Sequence, residues 1–437
     1  MSQRPVGRRS VLRGLGGVAA AMVAGPVLAG CGAGGGAGRP LQLWHLFSGA
    51  DGEKFLSMLD AARSRDPGLT VVDVCLEWGA AYYTKLAMAT AGDEPPDLAV
   101  MHMSRLGGYA PSGLLQPFDP DLLARNGVSA ATSTEALWSS ATVDDHVYAI
   151  PLDTHPFVAF YNLDLAERAG LLGTDGRMPS IRSAEQFVEV NRKLAEVTGN
   201  IGCAFGFVND KAQAWRLFWG LYNQTGGPYR FETGTAAEWD VDAAASVIAF
   251  VAGAMDDTVM STTLDYDAGV SAFSAGRAGM TLSGEWEMPS FAEALPRLAG
   301  SPMPTMFGRA ATYADSHAFV LPSRSDVDPE RLARSQQLAT ELVKEGLTWA
   351  EGGHVPGYEP LTRTPAYRSM TLQSSYAAAA ESVVLDPPLW FAGGGSDFQD
   401  RMSSRLIEGF VGRTDPLATS AAMLDDITAM LAVDNPL

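Results

Sequence analysis

The chain has 437 residues, 46% of them hydrophobic, with 31 Lys and Arg against 50 Asp and Glu and a formal net charge of −19 at pH 7. That acidity argues against nucleic acid and anionic lipid headgroups as partners. A single core stops growing near ~250–300 residues, so two lobes are expected, and beyond the N-terminus no apolar run is long enough to span a bilayer.

The N-terminus carries the first pattern. Arg8-Arg9-Ser10-Val11-Leu12-Arg13 gives way to a stretch rich in Gly, Ala and Val, the layout of a charged segment followed by the apolar core of a signal peptide. Its apolar part, Val18 to Leu28, is far shorter than the ~20 residues of a spanning helix. The run Val27-Leu28-Ala29-Gly30-Cys31 resembles a bacterial lipobox, in which the cysteine is diacylated and becomes the mature N-terminus. The paired arginines resemble a twin-arginine signal. Residues 1–30 are therefore expected to be a signal peptide, Cys31 the site of lipid attachment, and the glycine-rich residues 31–40 a flexible tether. The body is expected at the outer face of the cytoplasmic membrane, within about 30 Å of it.

Leu41–Phe47 reads as a buried first strand. A helix follows from Asp51 to Arg65, with Phe55, Met58, Leu59 and Ala62 at helical spacing and Pro67-Gly68 as its stop. Thr70–Trp78 is β-branched and reads as a second strand, Tyr82–Ala91 as a helix, and Asp97–Met103 as a third strand. This alternation predicts a parallel α/β sheet. Tyr148–Asp153 and Pro156–Asn162 are extended pieces broken by a proline-bearing corner, read as a crossing between lobes. Ser183 with Gln186 forms a capping box ahead of the stripe Phe187, Val190, Leu194 and Val197. Ala278–Trp286 and Ala318–Pro322 are later extended runs, so the chain is expected to revisit the first lobe. Asp328-Pro329-Glu330 opens a last clear helix, with Leu332, Ala339, Leu342 and Val343 on one face and Gly346 after it.

Signatures of chemistry are missing. No phosphate loop, no Gly-x-Ser-x-Gly elbow and no His-Glu-x-x-His occurs, so neither cofactor nor metal is expected. The glycine cluster Gly393-Gly394-Gly395 fits no dinucleotide fingerprint. Acidic pairs such as Glu285/Glu287 leave glycoside cleavage open, although fifty acids make such pairs common by chance. Cys75 and Cys203 sit in apolar runs and are expected as buried small hydrophobes in separate lobes. Unusual residues instead gather at strand ends: Trp44 and His45, Trp78, His102, Asp153 with His155, and Trp286. Ligands of open α/β sheets bind beyond the carboxyl ends of strands, so these side chains are expected to share one cleft. Tryptophan faces mixed with polar groups suit a sugar, the ring stacking on C–H faces while the polar groups take hydroxyls. For the pair Trp215 and Trp219, a spacing of four is equally an ordinary core stripe.

Taken in order, several stations resemble the extracellular solute-binding proteins of ABC importers, in the group containing maltose- and oligosaccharide-binding lipoproteins. They include Leu43-Trp44-His45-Leu-Phe-Ser48-Gly49-Ala-Asp51, Tyr83-Thr-Lys85-Leu, Pro96-Asp97-Leu-Ala-Val100 and Gly107-Gly-Tyr109. Further stations are Tyr148-Ala-Ile-Pro151-Leu-Asp153, Phe160-Tyr161-Asn162, Phe273-Ser-Ala-Gly276-Arg-Ala-Gly279-Met280, Ser316-His317 and Trp349-Ala-Glu-Gly-Gly-His354. The resemblance implies a type II periplasmic-binding-protein-like α/β fold of two discontinuous lobes joined by hinge crossovers. Residues 41–152 and about 322–358 would form lobe 1, and about 156–316 with 362–437 lobe 2. It implies a monomer that captures a di- or oligosaccharide in the interlobe cleft and delivers it, unaltered, to a membrane permease. Glycerol phosphate or a glycerophosphodiester is the alternative ligand, and a surface glycoside hydrolase or lyase the less favoured one.

By position, the resemblance assigns Ser48, Asp51, Trp78, His102, Ser104 and Arg105 to the first lobe's side of the cleft, and Asp153 and His155 to the crossing. It assigns Trp219, Asn223, Gln224, Gly284, Glu285 and Trp286 to the second lobe, Ser316 and His317 to a second crossing, and His354 to the end of its segment. Where the family often has Asn-Gly-Pro-Trp, this chain reads Ser283-Gly284-Glu285-Trp286, which keeps the aromatic and brings in a charge.

Overall fold

The computed structural model describes residues 39–436, and the signal peptide, Cys31 and most of the tether lie outside the described residues. The first sheet starts from Leu41–His45, whose Leu41 and Leu43 point into the core while Gln42 and Trp44 do not. It pairs in parallel with Val71–Cys75 on one side and Leu98–His102 on the other. Leu98–His102 is buried at every position, as a central strand must be. Its other neighbour is the returning strand His317–Pro322, which runs antiparallel and also pairs with Ala149–Pro151. The sheet is therefore mixed where the alternating pattern predicted parallel strands. Phe55, Met58 and Leu59 of helix Gly49–Arg65 and Leu338, Leu342 and Val343 of helix Pro329–Lys344 pack into this core. Asp97 pins that second helix to the strands: it accepts from Arg331 and from the Gln42 amide.

The second sheet is built on Asp153–Asn162, ten residues buried throughout. Met280–Gly284, Leu298–Pro302 and Thr312–Asp315 all pair antiparallel to it, and Cys203–Ala204 joins Met280–Gly284 in parallel. Helix Gln213–Thr225 covers this sheet with a stack of Trp215 on Trp219 and Trp219 on Tyr222. Helix Ala184–Thr198 begins at Ser183 as its side-chain cap predicts, and ends at Gly199 in the left-handed conformation.

Three chain segments pass between the sheets side by side. Ala149–Pro151 of the first sheet continues through Leu152 into Asp153–Asn162 of the second, while Thr312–Asp315 continues through Ser316 into His317–Pro322. The Leu152 amide donates to His317 O at 2.7 Å, and Gly357, just after the short strand Val355–Pro356, donates to Leu152 O at 2.9 Å. Few residues and main-chain bonds make this seam, the construction of a hinge.

Of the two cysteines among the described residues, Cys203 is buried as expected, but Cys75 is exposed at the end of the edge strand, and both are free. The edge strand has no neighbour to cover it, which the apolar run could not reveal. Among the described residues no helix is long and apolar enough to cross a membrane.

Gly353 sets the turn that delivers His354 to the seam. Its φ is +109°, and a Cβ there would lie 2.2 Å from Glu285 O, which belongs to backbone and has no rotamer to yield. Gly353→Ala is expected to destabilise the protein by roughly 2–4 kcal/mol, measured by denaturant unfolding; a loss below ~0.5 kcal/mol would show that the turn relaxes freely.

Candidate functional site

The seam gathers ionisable side chains from both sheets, and Asp153 is its centre. Its carboxylate is fully buried and accepts four donors. His155 Nδ1 reaches Oδ1 at 3.0 Å and the His317 amide reaches the same oxygen at 2.8 Å. His317 Nδ1 and Trp349 Nε1 reach Oδ2, each at 2.7 Å. Burial alone would push this carboxyl up; the imidazoles of His317 and His155 outweigh it and hold it well below the ordinary carboxylate range. An ionised carboxylate only accepts, so both imidazoles are fixed with Nδ1 protonated.

Around this centre the rings of His102, His155 and His317 pack together, with centroids 4.3 Å apart for His155 and His317 and 4.7 Å for His102 and His317. Strand register explains the meeting: His317 sits opposite His102 in the first sheet, and Asp315 opposite His155 in the second. Burial, with His317 as neighbour, lowers His155 to about 4 and holds His102 well below the usual histidine value. Asp315 accepts from the Ser104 and Ser316 amides at 3.1 and 2.8 Å and from the Ser104 hydroxyl. Burial and the nearby Asp386 push Asp315 up to about 7.

His354 stacks on Trp349 at 4.4 Å, with Asp51 Oδ1 3.0 Å from Nε2 and Glu285 Oε1 3.0 Å from Nδ1. Burial would depress His354, but Asp51 and Glu285 hold it well above the ordinary value. Glu285 is completely buried, neither of its oxygens makes a hydrogen bond of good geometry, and burial pushes its carboxyl up to about 8.

Two tryptophans flank the seam. Trp78 is 40% exposed with its ring 6.2 Å from His102, and Trp286 is half-buried, 5.8 Å from His155. The Trp286 ring lies over Gly284, where a Cβ would come within 2.1 Å of it, and its indole N–H donates to the Tyr266 hydroxyl at 2.8 Å. Between the two lies the Arg216 guanidinium, 6.0 Å from the Trp78 ring, 5.3 Å from Trp286 and 5.8 Å from Tyr313. Its Nε is buried with no hydrogen-bond partner among the described residues.

Thus Asp51, Trp78, His102, Ser104, Asp153, His155, Gly284, Glu285, Trp286, Ser316, His317 and His354 come together. Arg105 lies at the edge, its guanidinium 4.6 Å from the Tyr83 ring and bonded to Ala392 O. Ser48 is exposed at the start of helix Gly49–Arg65 and makes no cap bond. Trp219, Asn223 and Gln224 require correction: they lie inside the second lobe. Trp219 is in the aromatic stack and donates to Leu385 O. Asn223 bonds back to Trp219 O, and Gln224 ties Pro304, Met306, Phe307 and Ala311. The Gln224 amide, bonded to backbone at both ends, has nothing left for a ligand, and Asn223 is buried on the same helix. Trp44 and His45 also stay away from the seam; Trp44 lines a surface groove with Lys85 and Met88, and His45 packs on Phe55. Arg216, Tyr83, Asp315 and Trp349 were not foreseen. Arg216 had one signal, a lone charge on the apolar helix Gln213–Thr225, where it alone between residues 213 and 224 is not buried.

A carboxyl raised in the folded state keeps its proton where the unfolded chain has lost it, so it makes stability fall as pH rises from about 4.5 to about 8. Glu285→Gln removes that dependence. The variant's melting temperature is expected to gain on the wild type by several degrees between about pH 6 and about pH 9; a difference independent of pH would contradict the raised carboxyl.

Residues 48–326, well over half of the chain, match the family described as bacterial extracellular solute-binding protein. Solved structures agree in fold. The GacH receptor of Streptomyces glaucescens, crystallised unliganded and with acarbose, is 16% identical with a TM-score of 0.74, over 90% of this chain and 98% of that one. The cyclic α-maltosyl-1,6-maltose binding protein of Arthrobacter globiformis is 19% identical with a TM-score of 0.72, over 90% and 99%. UgpB from Mycobacterium tuberculosis, in complex with glycerophosphocholine, is 17% identical with a TM-score of 0.73, over 91% and 99%. With a two-sheet hinged fold, and with the family's sequence pattern running from the first helix through the second crossing, the chain belongs to the bacterial extracellular solute-binding proteins.

Proposed function

We propose that this protein is the capture subunit of an ABC importer, holding a di- or oligosaccharide between its lobes and passing it intact to a permease. The observation that carries this reading is the pair of tryptophans, Trp78 from the first lobe and Trp286 from the second, on either side of a polar seam. A pyranose offers apolar C–H faces and a rim of hydroxyls, so flanking indoles and a floor of imidazoles and carboxylates match it on both counts. Because the contacts come from both lobes, the solute stabilises the closed arrangement, and the three short crossings let the lobes part to admit it. The maltose-, acarbose- and cyclic-oligosaccharide-binding relatives support this class of solute. Capture requires no bond cleavage, and the protein is expected to act without turnover.

A second reading is favoured by Arg216. A guanidinium with no carboxylate in ion-pair contact among the described residues, between the two tryptophans, suits a phosphodiester, which it can engage through paired hydrogen bonds. The UgpB structure with glycerophosphocholine lends that reading support.

In both readings Cys31 is diacylated after export by the twin-arginine route, and residues 31–40 tether the body to the outer face of the membrane. Functional residues are proposed to be Asp51, His102, Ser104, Asp153, His155, Ser316, His317 and His354 on the floor and Trp78, Gly284, Glu285 and Trp286 at the sides.

Thermal-shift screening of the purified chain against neutral oligosaccharides and glycerophosphodiesters separates the readings, because a solute bound only by the folded state raises the melting temperature. A shift with sugars alone supports the first and a shift with glycerophosphodiesters alone the second. Trp286→Ala is expected to weaken binding of the solute so found by roughly 1–3 kcal/mol, the area and ring contact removed; unchanged affinity in calorimetry would take Trp286 out of the site. Cys31→Ser is expected to move the protein from the membrane fraction to the soluble fraction without changing solute affinity, and a variant still in membranes would refute the lipid anchor.

A further inference from the structure

The six histidines have no ligand spacing in sequence, yet the fold joins two of them, both on the proposed floor of the solute site, to a carboxylate in a way that holding a solute does not by itself require. One ligand atom from each of His102, His155 and Asp315 lies within 4.8 Å of the others. The three residues come from three different strand segments and are all buried. Each ring is oriented through Nδ1: His155 by Asp153 Oδ1 at 3.0 Å, His102 by the Tyr83 hydroxyl at 2.7 Å. Neither Nε2 has a hydrogen-bond partner among the described residues. An imidazole tied through Nδ1 to an oxygen, with Nε2 free, is how histidine is prepared for a metal: the Asp153 carboxylate fixes both the ring and the tautomer of His155, and the Tyr83 hydroxyl fixes the ring of His102. Asp315 is held just as firmly, by two backbone amides and the Ser104 hydroxyl.

The face between His102 and Asp315 is kept clear by a glycine. A Cβ on Gly394 would come 3.0 Å from the His102 ring and 3.4 Å from Asp315 Oδ2, so a side chain there would press on the His102 ring and lie in contact with Asp315. This gives a place to the glycine cluster that fits no nucleotide fingerprint.

We propose that His102 Nε2, His155 Nε2 and an Asp315 oxygen bind a divalent transition metal, with at least one coordination position left for the solute or water. Two imidazoles and a carboxylate suit Zn²⁺, Co²⁺ or Ni²⁺, whereas Ca²⁺ and Mg²⁺ require mostly oxygen. Metal–nitrogen bonds of about 2.0–2.1 Å place ligand atoms roughly 3.3 Å apart, so atoms now within 4.8 Å of one another must draw together on binding. Three protein ligands make an open site in the sense of catalytic rather than structural metal centres. Asp153 acts on His102 in the sense opposite to the nearby Arg216. Asp153 and Tyr83 act as positioning residues.

The test uses the full chain, stripped with chelator and titrated with Co²⁺ in the absence of any solute, then with Zn²⁺ in competition. One Co²⁺ per chain is expected, with visible d–d absorption of a nitrogen and oxygen ligand set that Zn²⁺ abolishes. His102→Ala, His155→Ala and Asp315→Asn are each expected to weaken binding by at least ~100-fold, and Tyr83→Phe by about 10-fold, the usual effect of losing an outer partner. His146→Ala, an exposed histidine, leaves binding unchanged. In case a variant fails to fold, Zn²⁺-induced shifts of two histidine ring nitrogens in the ¹⁵N spectrum of the wild type give the same answer without mutation. Absence of a cobalt spectrum and of histidine shifts in the wild type, or Co²⁺ bound equally by a folded His102→Ala/His155→Ala double variant, would overturn the proposal. As the readout is the ion itself, its failure is separate from the failure of a solute screen.

Discussion

One buried carboxylate organises the junction. Asp153 begins the central strand of the second sheet, yet all four of its donors come from the crossings or from the helix Gly346–Ala350 that caps them. Three of the donors belong to residues that change sheets or lie beside such residues. The acid therefore sets the relation of the crossing strands at the point where main-chain pairing is thinnest. Removing it would strand two imidazole N–H groups, an indole N–H and an amide in a dry interior, each at the full cost of a buried unpaired donor.

The same acid orients its neighbours. It accepts from Nδ1 of His155 and of His317 and so fixes both rings, while burial and the neighbouring His317 keep His155 neutral, with its pKa near 4, against the upward pull of Asp153. On the opposite side, His354 faces Asp51 and Glu285 and is held charged. The seam thus presents neutral imidazoles toward Trp78 and Trp286 and confines its imidazolium to the side of Trp349. Such division of protonation states among like side chains a few ångströms apart comes from burial and like-charged neighbours winning at His102 and His155, and from two carboxyl groups winning over burial at His354.

Membership of the solute-binding family and the placement of aromatic rings from both lobes around this seam belong to one physical scheme. A hinge of three short crossings lets the lobes separate, and groups from both sides make closure depend on what lies between them. Arg216 adds a constraint of its own: its guanidinium lies in the gap between Trp78 and Trp286, a positive charge in a strongly acidic chain.

Much of this was legible in the linear order of residues. Short apolar strands alternating with amphipathic helices identified the α/β class, and caps such as Ser183 and Asp328 marked helix starts because a side-chain oxygen and the amides it serves are neighbours in sequence. Strand-end residues such as His102 and Trp286 were recognisable as site candidates by the same local logic. Periodicity could not separate Trp219, Asn223 and Gln224 from the cleft, since a helix stripe looks alike whether it faces core or ligand. Nor could it show that Cys75 lies on an uncovered edge, or that Arg216 reaches across to Trp78. The sequence by itself determined the elements, the export signal pattern and the family, all of which rest on neighbours along the chain. Only the tertiary structure decided that His102, His155, His317 and His354 meet around Asp153, because strand register and crossing order, not spacing, bring together residues up to 252 positions apart.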